Sequence, residues 1–193
     1  DEHHRHKDVY QHSLTVLEQA IDLEDRLPER PDLIIRLAAL LHDIGKPATR
    51  RFEPGGKVSF HHHDVVGAKL VRKRLAALRF SGEEIKAVSE LVALHLRFHG
   101  YSGDEGRAGV WTDSAVRRYV RDAGDQLARL HLLTRADCTT RDAVKAERLR
   151  AAYDDLERRI AELAAQEELK AIRPDLNGSQ IMEILGIPEG RDV

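Results

Sequence analysis

The chain has 193 residues, a formal net charge of −2 and a hydrophobic share of 41%, enough for one domain with a real core, or one domain and a small appendage. Near-balanced charge excludes a molecule that is basic throughout and leaves only local patches for a polyanion, while the single Cys138 excludes an internal disulfide and fits a reducing compartment. No apolar run approaches the roughly 18 residues of a membrane span, and the polar, His-rich start is no signal peptide, so a cytoplasmic protein is expected.

Strand signals are nearly absent and helical periodicity recurs between short polar or Gly/Pro breaks, which predicts an all-α fold. The first helix runs from about Asp8 to Leu27. One face carries Tyr10, Leu14, Leu17 and Ile21, and the adjoining line carries Val9, His12, Val16 and Ala20, so His12 turns toward the buried side. His3, His4 and His6 read as tail residues. The stretch from Ile34 to Lys46, IIRLAALLHDIGK, organises the chain. It is an apolar helix broken only by Arg36, opened after Pro31 and Asp32 and closed by Gly45 and Pro47. A buried helix has little reason to end on His42 and Asp43, because a buried charge is costly unless it is paired or coordinates a metal.

A loop with Arg50, Arg51, Gly55, Gly56 and Lys57 follows. The triplet His61, His62 and His63 stands at the start of a helix to Leu78, with Val66, Leu70 and Leu78 inward. Ser81 and Gly82 open a helix to about Phe98, whose inner line is Ile85, Val88, Val92, His95 and His99. The last two have a spacing suited to a shared metal, or to a ligand and its neighbour. Gly100 to Gly109, with Asp104 and Glu105, reads as a flexible loop bordering a site. Thr112 or Asp113 caps a helix ending at Gly124, and Asp125 caps the next. There Leu127, Leu130, Thr134 and Asp137 share a face, so Asp137 stands where an unpartnered carboxylate would be expensive. Cys138 reads as core filling. Ala143 to Leu169 is a long charged helix with a seam of Leu149, Tyr153, Leu156, Ile160 and Leu163, suited to pack on the domain or on another helix. Asn177 caps a short coda helix through Leu185. Residues 1–140 are expected to form one metal-binding domain and residues 141–193 the long helix and coda.

His12, His42, Asp43, His63, His95 and Asp137 thus fall on the inward faces of several helices, and buried imidazoles and carboxylates in such number need partners. Their order, H…HD…H…H…D with HDIGK at 42–46, resembles the HD-domain superfamily of metal-dependent phosphohydrolases. That resemblance implies an HD-domain helical bundle in which His12, His42, Asp43 and Asp137 hold one metal, and His63 and His95 add a second, with Asp43 bridging. More of the chain is similar to the C-terminal HD-containing half of bacterial CCA-adding tRNA nucleotidyltransferases, also known as poly(A) polymerases. The similarity is carried by KDVYQHSLTVLE, LAALLHDIGKPATR, FHHHDVVGAKL, LVALHLRFHGY, WTDSAVRRYVRDAG and DLNGSQIMEILGI. In that family a nucleotidyltransferase head with a Gly-Gly signature and paired aspartates comes first. Gly55 and Gly56 have no DxD after them, and Met182 is the only methionine. A fragment or processed product unable to add nucleotides is therefore expected.

The mixed imidazole and carboxylate donors suit one or two Mn, Fe, Co, Ni or Zn ions better than Mg. Such cations activate water and clamp phosphoryl oxygens. Asp43 is expected to orient the nucleophilic water and Lys46 to neutralise the phosphate, with Arg50 and Arg97 assisting in substrate binding. By resemblance the substrates are nucleotide phosphomonoesters or cyclic phosphodiesters such as 2′,3′-cyclic nucleotides. His61, His62 and His99 read as helix-end solvent residues. One alternative is a non-catalytic tRNA-binding module with a structural metal site, gripping RNA through Arg117, Arg118 and Arg121. RDAV after Thr140, where the family suggests a more basic run, weakens it. Another is a di-iron oxygenase on the same ligand set.

Overall fold

A computed structural model of the chain describes residues 9–102, 111–140, 142–171 and 184. It is a helical bundle, as expected, with one short hairpin among the described residues. In chain order the elements are α1 (Val9–Asp22), a 3₁₀ turn (Glu24–Arg26), α2 (Leu33–Leu41), α3 (Lys46–Thr49), β1 (Arg51–Phe52), β2 (Val58–Ser59), α4 (His63–Ala77) and α5 (Gly82–Leu94). They continue with α6 (His99–Ser102), α7 (Asp113–Ala123), a 3₁₀ turn (Gly124–Gln126), α8 (Leu127–Ala136) and α9 (Ala143–Ala171). The strands pair antiparallel, Arg51 opposite Ser59 and Phe52 opposite Val58.

Helix α2 lies at the centre, against α1, α5 and α8, and buries Ile35, Ala38 and Ala39. Asp32 starts it by accepting the Ile35 amide at 2.9 Å, and its second carboxylate oxygen accepts from Arg129 of α8 at 2.8 Å. Arg36, the one charge in the apolar run, gives two hydrogen bonds of 2.6 and 2.7 Å to buried Glu24. A bidentate pair of this kind lets a guanidinium sit beside a core. Ser81 and Glu84 form a reciprocal cap on α5. Thr112 caps α7 and Gly124, at φ +49°, ends it. Asp125 lies in the 3₁₀ turn rather than capping α8, whose N-cap is Gln126 without a side-chain bond.

The buried faces differ from those read off the large apolar residues. On α1 the buried line is Ser13, Val16 and Ala20, while Tyr10 is 62% and Ile21 41% exposed. On α4 it is His63, Gly67, Ala68, Val71 and Leu75, and Leu78 is 52% exposed. Small residues at the centre of each stripe let helix axes approach, and bulkier neighbours are pushed to the rim. The HDIGK segment also departs from the expected continuous helix: α2 stops at Leu41 and the chain turns through i→i+3 bonds, Ile44 N to Leu41 O at 3.1 Å and Lys46 N to Asp43 O at 2.9 Å. Likewise α5 ends at Leu94, so His99 opens α6 on the surface and does not share the face of His95.

Helix α9 packs its seam on α6, α7 and α8, burying Ala152, Tyr153, Leu156 and Leu163, so within this chain it is an intramolecular prop. Arg159 reaches Asp113 and the Trp111 carbonyl at 3.0 Å each, and Tyr101 donates to Asp155. The tail histidines His3, His4 and His6, the loop carboxylates Asp104 and Glu105, and the coda helix, Ile184 apart, lie outside the described residues. No described helix is long and apolar enough to cross a membrane.

Candidate metal centre

Four histidines and two aspartates from separate parts of the chain converge beside α2. His12 comes from α1, His42 and Asp43 from the turn after α2, His63 from the first residue of α4, His95 from the turn after α5, and Asp137 from the end of α8. His12 Nε2 lies 3.3 Å from His42 Nε2 and 3.0 Å from Asp137 Oδ1, and His42 Nε2 lies 3.5 Å from the same oxygen. Asp43 divides its oxygens. Oδ2 stands 3.3 Å from His42 and 3.5 Å from His12, whereas Oδ1 stands 3.3 Å from His63 Nε2 and 4.0 Å from His95 Nε2. The donors fall into two groups, His12 with His42 and Asp137, and Asp43 with His63 and His95, each with ligand atoms within 4.8 Å of one another.

Three imidazoles are aimed by the backbone. The Nδ1–H groups of His42, His63 and His95 donate to the carbonyls of Ala39, Phe60 and Val92 at 2.8, 2.8 and 2.6 Å. Ala39 and Val92 belong to the last turns of α2 and α5, where carbonyls lose their intrahelical partners. A histidine three residues on satisfies the carbonyl and turns its Nε2 toward the cluster, the arrangement found around metal-bound histidines. The Nε2 atoms of His63 and His95 are buried without a hydrogen-bond partner, a costly state that a cation would relieve. Metal–ligand bonds of about 2.1 Å put donors roughly 3.0 to 3.4 Å apart at right or tetrahedral angles. The 3.0 and 3.3 Å spacings of the first group fall in that range and its 3.5 Å spacing lies just beyond it, whereas the second group is looser.

Electrostatics agree. Burial opposes a charge on His42, but hydrogen bonds to Asp137 and Asp43 outweigh it and raise its pKa to about 10. Burial, with the positive His42 nearby, lowers His95 to about 4. Burial alone would raise the two carboxyls, yet His42, His63 and Lys46 around Asp43, and His12 and His42 around Asp137, hold both well below the usual range. The cluster thus keeps two ionised carboxylates together with one proton on His42, which a divalent cation would displace.

The HD domain family profile matches residues 9–142. The chain belongs to the HD-domain family. It is 36% identical to the A-adding tRNA nucleotidyltransferase of Deinococcus radiodurans over 188 residues, 96% of this chain and 40% of that protein. It is 35% identical to the CC-adding tRNA nucleotidyltransferase of Thermus thermophilus over 189 residues, 97% of this chain and 39% of that protein. A third relative, the bifunctional uridylyltransferase/uridylyl-removing enzyme of Mycobacterium tuberculosis, is 32% identical over 146 residues, 75% of this chain and 17% of that enzyme. The chain therefore spans about two fifths of the length of the two tRNA nucleotidyltransferases.

Other candidate residues of the HD domain are spread more widely. Lys46 Nζ lies on Asp43 Oδ2 at 2.5 Å and over the Phe60 ring, so meeting a phosphate requires exchanging one anion for another. Arg97 is held by Asp122 of α7 at 3.0 Å. Arg50, Arg51, His61 and His62 line a groove between α3 and the start of α4, and His99 is exposed apart from it. The carbonyl tethers, and Thr139, whose Oγ1 lies 3.5 Å from His12 Nδ1, go beyond what the residue pattern predicts. A signal for the tethers existed: His42 and His95 each follow the last residue of an apolar helix.

Proposed function

We propose that this HD domain is a metal-dependent phosphohydrolase acting on nucleotide phosphoesters, 2′,3′-cyclic nucleotides among them, within a tRNA nucleotidyltransferase-like protein. The metal-binding unit is residues 1–140. One or two Mn, Fe, Co, Ni or Zn ions would be held by His12, His42, Asp43 and Asp137, with His63 and His95 completing a second position. The observation carrying this reading is the convergence of four Nε2 atoms on two carboxylates, three of those rings locked by backbone carbonyls and two of them, His63 and His95, with Nε2 buried and unpartnered.

A bound divalent cation supplies Lewis acidity toward water and toward phosphoryl oxygen. The rest is done by the chain. Asp43, with one oxygen toward each donor group, orients the attacking water and accepts its hydrogen bond. Lys46, adjacent and flexible, turns from Asp43 to the phosphoryl oxygens as negative charge builds there. The apolar wall of α2 and α5 keeps bulk water from the histidine side.

Protein purified without chelator or nickel resin is to be assayed for metal content and for hydrolysis of 2′,3′-cyclic AMP with Mn, Co, Ni and Mg. Metal-dependent turnover is expected, abolished in Asp43→Ala with an unchanged circular dichroism spectrum. Unchanged turnover in that variant sinks the assignment. A second reading, RNA binding without chemistry, is favoured by exposed Arg118 and Arg121 on α7, which have no carboxylate partner among the described residues, and by relatives named for tRNA. Arg117 is tied to Glu167 at 2.5 Å. Bound metal with no turnover, and tRNA affinity falling steeply with salt, is the result that selects it.

A further inference from the structure

The groove beside the metal centre has a distinctive lining. It measures about 550 Å³ and runs between α3 with the start of β1 on one side and the residues entering α4 on the other. Both walls begin at the candidate centre, one at Lys46 and the other beside His63. Arg50, Arg51, His61, His62 and Thr49 line it with two small apolar side chains, and no carboxylate does. Arg36, Arg97, Arg129 and Arg135 are each paired with an acid, but neither Arg50 nor Arg51 has a carboxylate partner among the described residues. Glu53, the nearest acid along the hairpin, is engaged by Ser59 at 2.6 Å.

The hairpin adds an aromatic. Phe52 is 74% exposed, the largest exposure of any aromatic side chain among the described residues, although it follows directly on the groove-lining Arg50 and Arg51. The Arg50 guanidinium lies 4.7 Å from its ring centroid, covering one face and leaving the other open. Arginine fork, unpaired cation and open aromatic face on consecutive residues are the parts with which proteins hold a phosphate and stack its base.

We propose that this groove seats a nucleoside monophosphate unit, its phosphate held by Arg50 and Arg51 with His61 and His62 around it, and its base stacked on Phe52. The inference rests on the phosphohydrolase reading for its place in the reaction and adds to it where the nucleotide sits and which side chains hold its phosphate and its base. The groove positions the nucleotide by its 5′-phosphate, and the ester to be cleaved is a second phosphoester, on the 2′ or 3′ oxygens of the same ribose, which extends toward Asp43.

The test is equilibrium binding of AMP, ribose 5-phosphate and inorganic phosphate to chelator-treated protein, so that no cation contributes. Wild type is compared with Arg50→Ala/Arg51→Ala and with Phe52→Ala, all surface changes that leave the core untouched. The double variant is expected to lose roughly tenfold or more for every ligand. Phe52→Ala is expected to lose about tenfold for AMP and to keep ribose 5-phosphate within about twofold. Wild-type affinity for AMP in the double variant, an equal loss of both sugar phosphates in Phe52→Ala, or no AMP binding by wild type would each overturn the groove. Hydrolysis of 5′-phosphoadenosine 2′,3′-cyclic phosphate by the metal-reloaded proteins, its 5′-phosphate free for the groove and its cyclic ester for the centre, separates the two readings. Groove-dependent AMP binding without turnover removes the phosphohydrolase and keeps the nucleotide seat, whereas turnover with KM unmoved in both groove variants removes the seat alone.

Discussion

Gly45→Ala is the sharpest probe of how the HDIGK turn is held. Gly45 has φ −78°, a conformation open to any residue, so the substitution carries no backbone penalty and its effect is packing alone. An added Cβ would lie 2.1 Å from the His63 carbonyl oxygen and 2.7 Å from the Gly67 amide nitrogen. Both are backbone atoms, and ordinary carbon–oxygen contact begins near about 3.3 Å. The turn and the start of α4 must therefore separate by roughly 1 Å, an overpacking that costs about 1–3 kcal/mol and lowers Tm by about 3–10 °C in a domain of this size. The same displacement moves His63 off Asp43, now 3.3 Å away, so the second donor group should lose its cation before the first. Thermal melts and metal stoichiometry of wild type and variant read both effects. Gly67→Ala is the control, because its Cβ would meet Val92 Cγ1 at 3.2 Å, a shortfall of a few tenths of an ångström, and should do less harm. A Gly45→Ala protein that melts within about 1 °C of wild type and binds as much metal refutes the close-approach argument.

Further expectations can be measured on the same protein. His42, raised from 6.5 to about 10, favours the folded metal-free protein fully below pH 6.5 and loses that contribution as pH climbs toward 10. Urea midpoints with chelator present should therefore fall between pH 7 and 9, while metal affinity rises about tenfold per pH unit as the displaced proton becomes easier to remove; a pH-independent affinity would contradict it. Tyr153→Phe removes a buried 2.9 Å bond to the Thr134 carbonyl and should cost about 1 kcal/mol. Tyr119→Phe removes a buried hydroxyl without a partner and should leave the urea midpoint level or higher. Leu156→Ala, in the α9 seam and 1% exposed, should cost about 2–5 kcal/mol and lower a single melting transition. Two transitions would mean α9 folds apart from the helices that carry the candidate metal centre.

What the sequence made legible was chemistry out of place. His12, His42, Asp43, His63, His95 and Asp137 stood out because each put a polar group on a line of apolar residues, and the structure brings all of them together. Helix faces were harder. Leu78, Tyr10 and Ile21 carry the hydrophobic signal but sit at rims, while Ser13, Gly67 and Ala68, with little signal, mark the close contacts. His99 shares the helical spacing of His95 only if α5 continues, and nothing in ALHLRFHG announces the stop at Leu94. Long-range pairs such as Arg36 with Glu24 and Arg129 with Asp32 depend on packing between elements that no local pattern specifies. Gly45 reads as a helix stop in the sequence; its close approach to the His63 carbonyl exists only once α4 is in place.

The centre is built from helix ends. His42 and His95 each stand one residue past a helix, capping a carbonyl that the helix can no longer use, and His63 does the same for Phe60 at the start of α4. Termination and ligand placement are thus one feature, which explains why HDIGK is a turn and not the last turn of a longer helix. Had α2 continued through Asp43, the Ala39 carbonyl would have been taken by the Asp43 amide and the His42 ring freed to rotate. Stopping the helix spends one backbone carbonyl to fix the ring, and it lets Asp43 direct its oxygens at both donor groups from a tight turn that Gly45 presses against α4. The rings of the centre are therefore fixed by the main chain rather than by neighbouring side chains.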